Sequence, residues 1–133
     1  LLKNKKIKSP LYDYKKHKRK KLSKTIHPNK LILIEGTLIF YFEEIVKFMS
    51  LKIFINAKEK VRFTRRLNRD IIYRARTKES IHEQYHKTVK PMYNKYVRPL
   101  KAKADLIISG ESELTDNRNK IIREIDSMIK GNL

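Results

Sequence analysis

The sequence has no cysteine, only three glycines and no long apolar run. Without cysteine the chain can hold neither a disulfide framework nor a thiolate metal site, and a reducing compartment such as the cytoplasm fits this composition. No apolar run approaches the roughly twenty residues of a membrane span, and the start does not resemble a signal peptide, so we expect no membrane association. The first residue is Leu1 and not Met, which suggests a piece of a longer protein.

Acidic residues are scarce: 14 Asp and Glu stand against 33 Lys and Arg, for a formal charge of +19. Between Lys3 and Lys30 the only acid is Asp13. Such a charge favours polyanionic partners, namely nucleic acid, nucleotides or an anionic membrane surface. The chain is also rich in Ile, Lys and Asn, a bias that drifting base composition can produce without function. The 133 residues, 40% of them hydrophobic, suffice for one domain with a core or for a large part of one.

Arginine is concentrated in one stretch, which reads RRLNRDIIYRAR from Arg65 and holds five of the ten arginines. Arginine offers a planar fork of donors that matches phosphate oxygens two at a time. On a helix over Glu59–Ile72, one face would carry Phe63, Leu67 and Ile71. Another face would carry Arg62, Arg65, Arg66 and Arg69. Like charges at i and i+4 repel each other, so this face predicts a facing anion; a plain solvated basic face is the alternative.

The hydrophobic pattern predicts an α/β fold with a parallel sheet flanked by helices. An unbroken apolar run that suits a strand buried on both faces occurs at Leu31–Ile34, and two further strands are predicted at Leu51–Asn56 and Ala104–Ile108. Helices are predicted at Phe40–Met49, Glu59–Ile72 and Lys78–Val97, and in a last segment capped by Thr115. The remaining expectations are an irregular segment over residues 1–30, a loop at Tyr73–Thr77, a kink or an end at Pro91, and a helix stop at Pro99.

Glu35 follows the first predicted strand directly and precedes Gly36. In open α/β sheets, ligands bind outside the carboxyl ends of the strands. A carboxylate at that position is a natural partner for magnesium. The alternative is that Glu35 simply caps the next segment.

Six segments, taken in order, read PLYDYKKHKR, LILIEGTLIF, LKIFINA, RRLNRDIIYRAR, QYHKTVKPMYNKYVRPLK and ADLIIS. Together, from Pro10 to the last helix, they resemble the uridine–cytidine kinase family, which belongs to the phosphoribulokinase-like P-loop kinases. The resemblance implies ATP-dependent phosphorylation of the 5′-hydroxyl of uridine or cytidine in pyrimidine salvage, with ATP and Mg²⁺ as cofactors. It also implies a homo-oligomer, since the family often assembles as a tetramer.

The resemblance assigns roles to single residues as well. Tyr12 and His17 match the family's tyrosine and histidine that contact the pyrimidine base, and Arg76 matches an arginine that reaches the base. A ring can stack on the base, and a neutral imidazole can donate and accept at its polar edge. The other matches are Arg66 and Gln84 near the ribose and bound nucleoside, Arg69 and Arg74 as lid arginines that neutralise the ATP phosphates, and Glu35 near the magnesium. Without the family, His17 within a lysine run would be read as a surface histidine.

The sequence also departs from the family pattern. No GxxxxGK[ST] phosphate loop occurs in it, and the family's catalytic aspartate precedes the first matched motif, so Asp13 cannot take that role. Ala75 and Thr77 stand where glycine and aspartate are usual, and Leu100 replaces a threonine. We therefore expect the C-terminal part of a longer kinase, inactive alone. Apolar faces and strand edges next to the absent first strand would then be exposed.

We interpret the chain as a single partial kinase domain. Residues 1–30 form a basic nucleoside-binding segment, and residues 31–72 form a sheet with the helix Glu59–Ile72, which we call the arginine helix. Residues 73–77 form a lid loop, and residues 78–133 form the C-terminal helices and the last strand. One alternative is a related kinase with another small hydroxyl acceptor, against which Tyr12 and His17 argue. Another is a degenerate kinase or small basic protein that binds RNA through Lys15–Lys21 and the arginine helix. Loose polyanion binding would weaken steeply with salt and would ignore the identity of the base.

Overall fold

The computed structural model describes residues 1, 3–14, 16 and 18–130. Its four strands are β1 (Ile7–Asp13), β2 (Lys18–Ile26), β3 (Ile53–Asn56) and β4 (Leu106–Ser109). Its α-helices are α1 (Glu43–Val46), α2 (Glu59–Arg74), α3 (Lys78–Gln84), α4 (Lys90–Met92) and α5 (Leu114–Lys130). The fold class is α/β, with a small parallel sheet and flanking helices, as the sequence predicts.

The N-terminal segment forms a β-hairpin, so the prediction of an irregular segment was wrong. Ile7 pairs with Ile26 at the open end of the hairpin, and Asp13 pairs with Lys18 near the turn. The register shifts just after Pro10, a residue that has no N–H to donate to the partner strand. The sequence pattern did not indicate this hairpin, because both of its faces are exposed. Its lysines are solvated by water on either face, so the strands show no alternation of apolar and polar residues.

Leu31–Ile34 adopts no strand conformation, so that strand prediction was wrong. Within the described residues, β3 and β4 form a two-stranded parallel sheet in which Ile53 pairs with Leu106. A strand needs a neighbour for its backbone N–H and C=O groups, and no third strand joins this sheet in the part of the chain that the structure describes. The expected exposure of apolar side chains is observed: Leu33 is 87% exposed and Ile55 is 65% exposed.

The helix α2 continues to Arg74, two residues beyond the predicted end, and the loop is correspondingly shorter. Ala75 ends the helix in the left-handed region, at φ 53° and ψ 40°, where its N–H donates to the carbonyl of Asp70. The N–H of Arg76 donates to the same carbonyl at 3.2 Å. Such a left-handed residue satisfies the carbonyls at a helix C-terminus, and glycine is the usual choice because it has no Cβ.

The predicted helix over Lys78–Val97 is helical throughout, but it is not a regular α-helix. Two π-helical segments, Tyr85–Val89 and Tyr93–Val97, flank α4, which contains Pro91. Proline has no N–H, and its ring collides with the preceding turn of an α-helix, so the wider π turns let the chain pass Pro91 without a break. The run then continues as a 3₁₀ segment at Arg98–Lys103, so the prediction that the helix stops at Pro99 was wrong by four residues.

Two other helix predictions need correction. The segment Phe40–Met49 forms a 3₁₀ turn at Ile39–Tyr41 followed by the single-turn helix α1. The helix α5 begins one residue before Thr115, so Thr115 lies inside the helix and is not its cap.

The core is small; its buried hydrophobic residues are Phe40, Ile81, Tyr85, Leu100 and Ile108. No helix among the described residues is both long and apolar enough to span a bilayer.

Candidate functional site

Asp70 is completely buried near the C-terminal end of α2, where three arginines surround its carboxylate. The Nε and Nη2 atoms of Arg69 each lie 2.8 Å from Oδ1 of Asp70. The Nη1 atom of Arg74 lies 3.3 Å from Oδ1, and the Nε atom of Arg66 lies 3.5 Å from Oδ2. Arg66 and Arg74 stand four residues before and after Asp70, so one helical turn in each direction brings them to the same carboxylate.

The arginines keep Asp70 ionised. Burial by itself raises the pKa of this carboxyl group, but the hydrogen bond from Arg69 and the charges of Arg69, Arg66 and Arg74 outweigh burial and hold the pKa below its ordinary value of 3.8. The contact between Arg66 and Oδ2 is an ion pair without hydrogen-bonding geometry. One carboxylate therefore neutralises only part of the charge of three guanidinium groups.

The pKa of Arg66 is lowered by burial and by the neighbouring positive charges. Burial lowers the pKa of its guanidinium; Asp70 opposes this shift, whereas the charges of Arg69, Arg76 and Arg74 add to it. An arginine stays protonated at any physiological pH, so the mutual repulsion is relieved only by a further anion. The cluster Arg66–Arg69–Arg74–Arg76, which we call the arginine cluster, is thus suited to bind phosphate groups.

Gln84 connects the arginine cluster to α3. Its Oε1 atom accepts a hydrogen bond from Nη2 of Arg66 at 2.9 Å and another from Nη1 of Arg76. The Nη2 atom of Arg76 donates to the carbonyl oxygen and to Oγ of Ser80, each at 3.1 Å. Thr77 fixes the start of α3, because its Oγ1 accepts from the N–H of Ser80 at 3.2 Å. Two of the residues assigned to the nucleoside, Arg66 and Arg76, therefore meet at a third, Gln84.

The end of the hairpin reaches the arginine cluster through two tyrosines. The rings of Tyr12 and Tyr14 meet edge to face with centroids 5.1 Å apart. The Cζ atom of Arg74 lies 4.8 Å from the centroid of the Tyr14 ring. Tyr12, assigned to the base, is thus two contacts away from Arg74, assigned to the phosphates. His17 lies outside the described residues.

Glu35 lies apart from this arrangement. It is exposed in the irregular segment that follows Leu31–Ile34, and no hydrogen bond or ion pair connects it with the other described residues. The residues that the structure describes contain no group of three or more His, Cys, Asp or Glu side chains that could hold a metal ion. Magnesium in nucleotide sites is bound by one or two carboxylates together with phosphate oxygens and water, so a single acid such as Glu35 is compatible with that mode of binding.

Comparison with known proteins shows the family. The model of the "Phosphoribulokinase / Uridine kinase family" matches residues 1–115. The chain belongs to this family.

Curated relatives agree with this assignment. A uridine kinase of Leuconostoc citreum is 35% identical over 132 residues, which cover 99% of this chain and 63% of that protein. A uridine kinase of Lactobacillus johnsonii is 39% identical over 135 residues, covering 98% of this chain and 63% of that protein. A uridine kinase of Listeria monocytogenes is 40% identical over 107 residues, covering 80% and 51%. The chain thus spans less than two thirds of the length of these relatives.

Two residues of this candidate site, Asp70 and Tyr14, were not predicted from the sequence. Asp70 is the only acid within RRLNRDIIYRAR, and its spacing of four from both Arg66 and Arg74 is a signal that could have revealed an internal counter-ion. Tyr14 carries no comparable signal. Its contact with Arg74 depends on how the hairpin packs against α2, which periodicity does not report.

Proposed function

We propose that this chain is the nucleoside-binding and lid part of a kinase that transfers phosphate from ATP to the 5′-hydroxyl of uridine or cytidine, giving UMP or CMP in cytoplasmic pyrimidine salvage. The observation that carries the proposal is the convergence of Arg66 and Arg76 on Gln84 beside the arginine–Asp70 pairs. In phosphoryl transfer the protein contributes mainly positioning and charge stabilisation. A cluster of cations next to polar groups that can orient a hydroxyl-bearing ligand meets both needs.

The proposed roles are those that the family resemblance assigns to single residues. Tyr12, with His17, would contact the pyrimidine base from the hairpin, and Arg76 would reach the base from the loop after α2. Arg66 and Gln84 would hold the nucleoside near its ribose. Arg69 and Arg74 would neutralise the ATP phosphates and, by closing over them, would exclude water as a competing acceptor.

The residues present fit a triphosphate, since the guanidinium groups outnumber the one carboxylate among them. Bound ATP supplies the phosphoryl group, and Mg²⁺, for which Glu35 is the candidate ligand, would neutralise its oxygens. The sequence contains no GxxxxGK[ST] motif, and we expect the 133-residue chain alone to bind ligands without catalysing transfer. The division into parts at 1–30, 31–72, 73–77 and 78–133 and assembly as a homo-oligomer belong to the same proposal.

Calorimetric titration of the 133-residue chain tests this function. We expect uridine and cytidine to bind more tightly than adenosine and guanosine, with affinities that hardly change between 50 and roughly 300 mM salt, since nucleosides are uncharged. His17→Ala should abolish the preference for pyrimidines, and Lys20→Ala, on the exposed face of β2, is the matched control.

The same titration decides against the proposal if nucleosides do not bind selectively. Binding of single-stranded RNA of any sequence, weakening steeply with salt, would instead support a basic polyanion-binding protein. Retention of pyrimidine selectivity in His17→Ala would remove that residue from the site.

A further inference from the structure

The contact between Tyr14 and Arg74 joins two halves of the proposed site. Tyr14 directly follows β1, whereas Arg74 is the last residue of α2. Between them, the guanidinium carbon lies 4.8 Å from the ring centroid. On its other side, Tyr14 meets the ring of Tyr12 at 5.1 Å with an angle of 62° between the ring planes. A continuous path of contacts therefore runs from Tyr12 to the phosphate-binding arginines.

Among the described residues, the Tyr14 ring is one of two groups that contact the Arg74 guanidinium. The side chain of Arg74 is 28% exposed and has two partners on different elements: the Asp70 carboxylate at 3.3 Å and the Tyr14 ring. Asp70 also pairs with Arg66 and Arg69, so it holds Arg74 less firmly than an exclusive partner would. The face of an aromatic ring attracts a guanidinium group and restricts it to a stacked arrangement. Any ligand that fixes the Tyr12–Tyr14 pair therefore also restricts Arg74.

We propose that Tyr14 is a positioning residue that couples nucleoside binding at the hairpin to phosphate binding at Arg74. The inference rests on the proposed function, because it takes Tyr12 as a base contact and Arg74 as a phosphate contact. A coupling of this kind is reciprocal: the nucleoside raises the affinity for the phosphates by the same factor by which the phosphates raise the affinity for the nucleoside. The energy of one partly exposed cation–π contact corresponds to a factor of about two to five.

The test is a pair of titrations on the 133-residue chain with inorganic tripolyphosphate as the phosphate probe. Tripolyphosphate is titrated without uridine and with saturating uridine, and then uridine is titrated with and without tripolyphosphate. In the unchanged chain we expect each ligand to raise the affinity for the other by about two- to five-fold. Tyr14→Phe keeps the ring and should keep the coupling, whereas Tyr14→Leu should reduce the factor to one.

Two further variants separate positioning from general damage to the structure. Tyr73→Leu removes a tyrosine that is 68% exposed on the same helix as Arg74, and it should leave the coupling unchanged. Arg74→Lys keeps the charge but loses the flat stacking surface, so it should still bind tripolyphosphate while the coupling weakens. Circular dichroism of each variant reports whether the helices are retained.

The outcomes distinguish the inference from the function beneath it. If uridine binds selectively and tripolyphosphate also binds, but neither changes the affinity for the other, the coupling is refuted while the proposed function stands. Equal coupling in Tyr14→Leu and in the unchanged chain refutes the role of Tyr14 specifically. If uridine binds no better than adenosine, the proposed function falls and the inference falls with it.

Discussion

At the scale of single residues, Asp70 organises the arginine cluster from inside. Its side chain is fully buried, while those of Arg66, Arg69 and Arg74 remain 22%, 47% and 28% exposed. The carboxylate thus contacts the buried side of each guanidinium group and leaves the exposed side accessible to a ligand. Such a counter-ion serves positioning, because a buried ion pair adds little net stability over an apolar replacement.

The first prediction concerns the loss of this charge. Asp70→Asn leaves three arginines around a neutral amide, and we expect a free energy of unfolding lower by about 3 kcal/mol, near the lower end for removing one partner of a buried ion pair because the arginines are partly exposed. Urea unfolding measures it. Asp126→Asn, on the exposed surface of α5, is the control and should change the value by less than about 0.5 kcal/mol. Equal effects of the two substitutions would show that Asp70 is not an essential counter-ion.

The second prediction follows from the lowered pKa of Asp70. Because the pKa of this group is below its ordinary 3.8 in the folded chain, its contribution to stability is complete above that value and disappears as the pH falls through the folded pKa. The melting temperature of the unchanged chain should therefore drop more between pH 5 and pH 2 than that of Asp70→Asn. Parallel curves for the two proteins would contradict the assignment.

The third prediction concerns Gln84, whose Oε1 receives hydrogen bonds from two arginines. Gln84→Leu removes the acceptor, and Gln84→Glu supplies a charged one in its place. We expect Gln84→Leu to destabilise the chain by about 1 kcal/mol, whereas Gln84→Glu should be neutral or stabilising. Hydrogen exchange of the α3 amides gives the local readout. Equally faster exchange in Gln84→Leu and in Gln84→Glu would contradict the role of Oε1 as the acceptor that holds the two arginines.

At the scale of elements, the end of α2 carries a measurable strain. Ala75 has φ 53°, a conformation that costs a residue with a Cβ roughly 1 kcal/mol. Ala75→Gly should therefore raise the free energy of unfolding by about 0.5 kcal/mol after the larger chain entropy of unfolded glycine is subtracted. Ala102→Gly, in the 3₁₀ segment, should lower it instead. Loss of stability in both variants would contradict the left-handed conformation of Ala75.

The elements also show what the sequence could and could not predict. The type of β3, β4, α2 and the helical run from Lys78 was correctly predicted from the local sequence pattern, with bounds shifted by a few residues. The predictions for the hairpin segment and for Leu31–Ile34 were wrong for the same reason, namely that a strand forms only where it has a partner strand. Composition made the charged segment look unstructured although its two halves pair, and it made the apolar segment look like a strand although none of the described strands pairs with it.

The candidate site was also predicted only in part, namely where its contacts are local in the sequence. The family motif placed Arg66, Arg69, Arg74, Arg76 and Gln84 in one neighbourhood, and the structure brings them together through helical spacing and one short loop. Tyr14 depends on the packing of the hairpin against the end of α2, which lies 60 positions further along the chain. Contacts of that range are set by tertiary packing, which a single sequence does not display.

At the scale of the whole molecule, the charge of +19 acts on stability and on binding with opposite signs. Added salt screens the repulsion among 33 basic residues and should raise the melting temperature between 10 and roughly 200 mM sodium chloride. The same salt should weaken the binding of tripolyphosphate, because the arginine cluster attracts that anion through its charge. Differential scanning fluorimetry and calorimetric titration over one salt series measure both. If both the melting temperature and the affinity for tripolyphosphate fall with added salt, repulsion among the basic residues does not contribute much to the stability of the chain.

The parallel pairing of β3 with β4 also determines the order in which the chain assembles. Lys52 and Asp105, whose side chains meet at 2.8 Å where the two strands begin, are 53 positions apart. Closing a loop of that length costs entropy before any contact is gained, whereas hairpins and helices form within microseconds. The arginine cluster with Gln84 lies entirely within α2, α3 and the loop between them. We therefore expect the arginine cluster and Gln84 to come together early in folding, before the long-range contacts of Lys52 with Asp105 and of Tyr14 with Arg74 form.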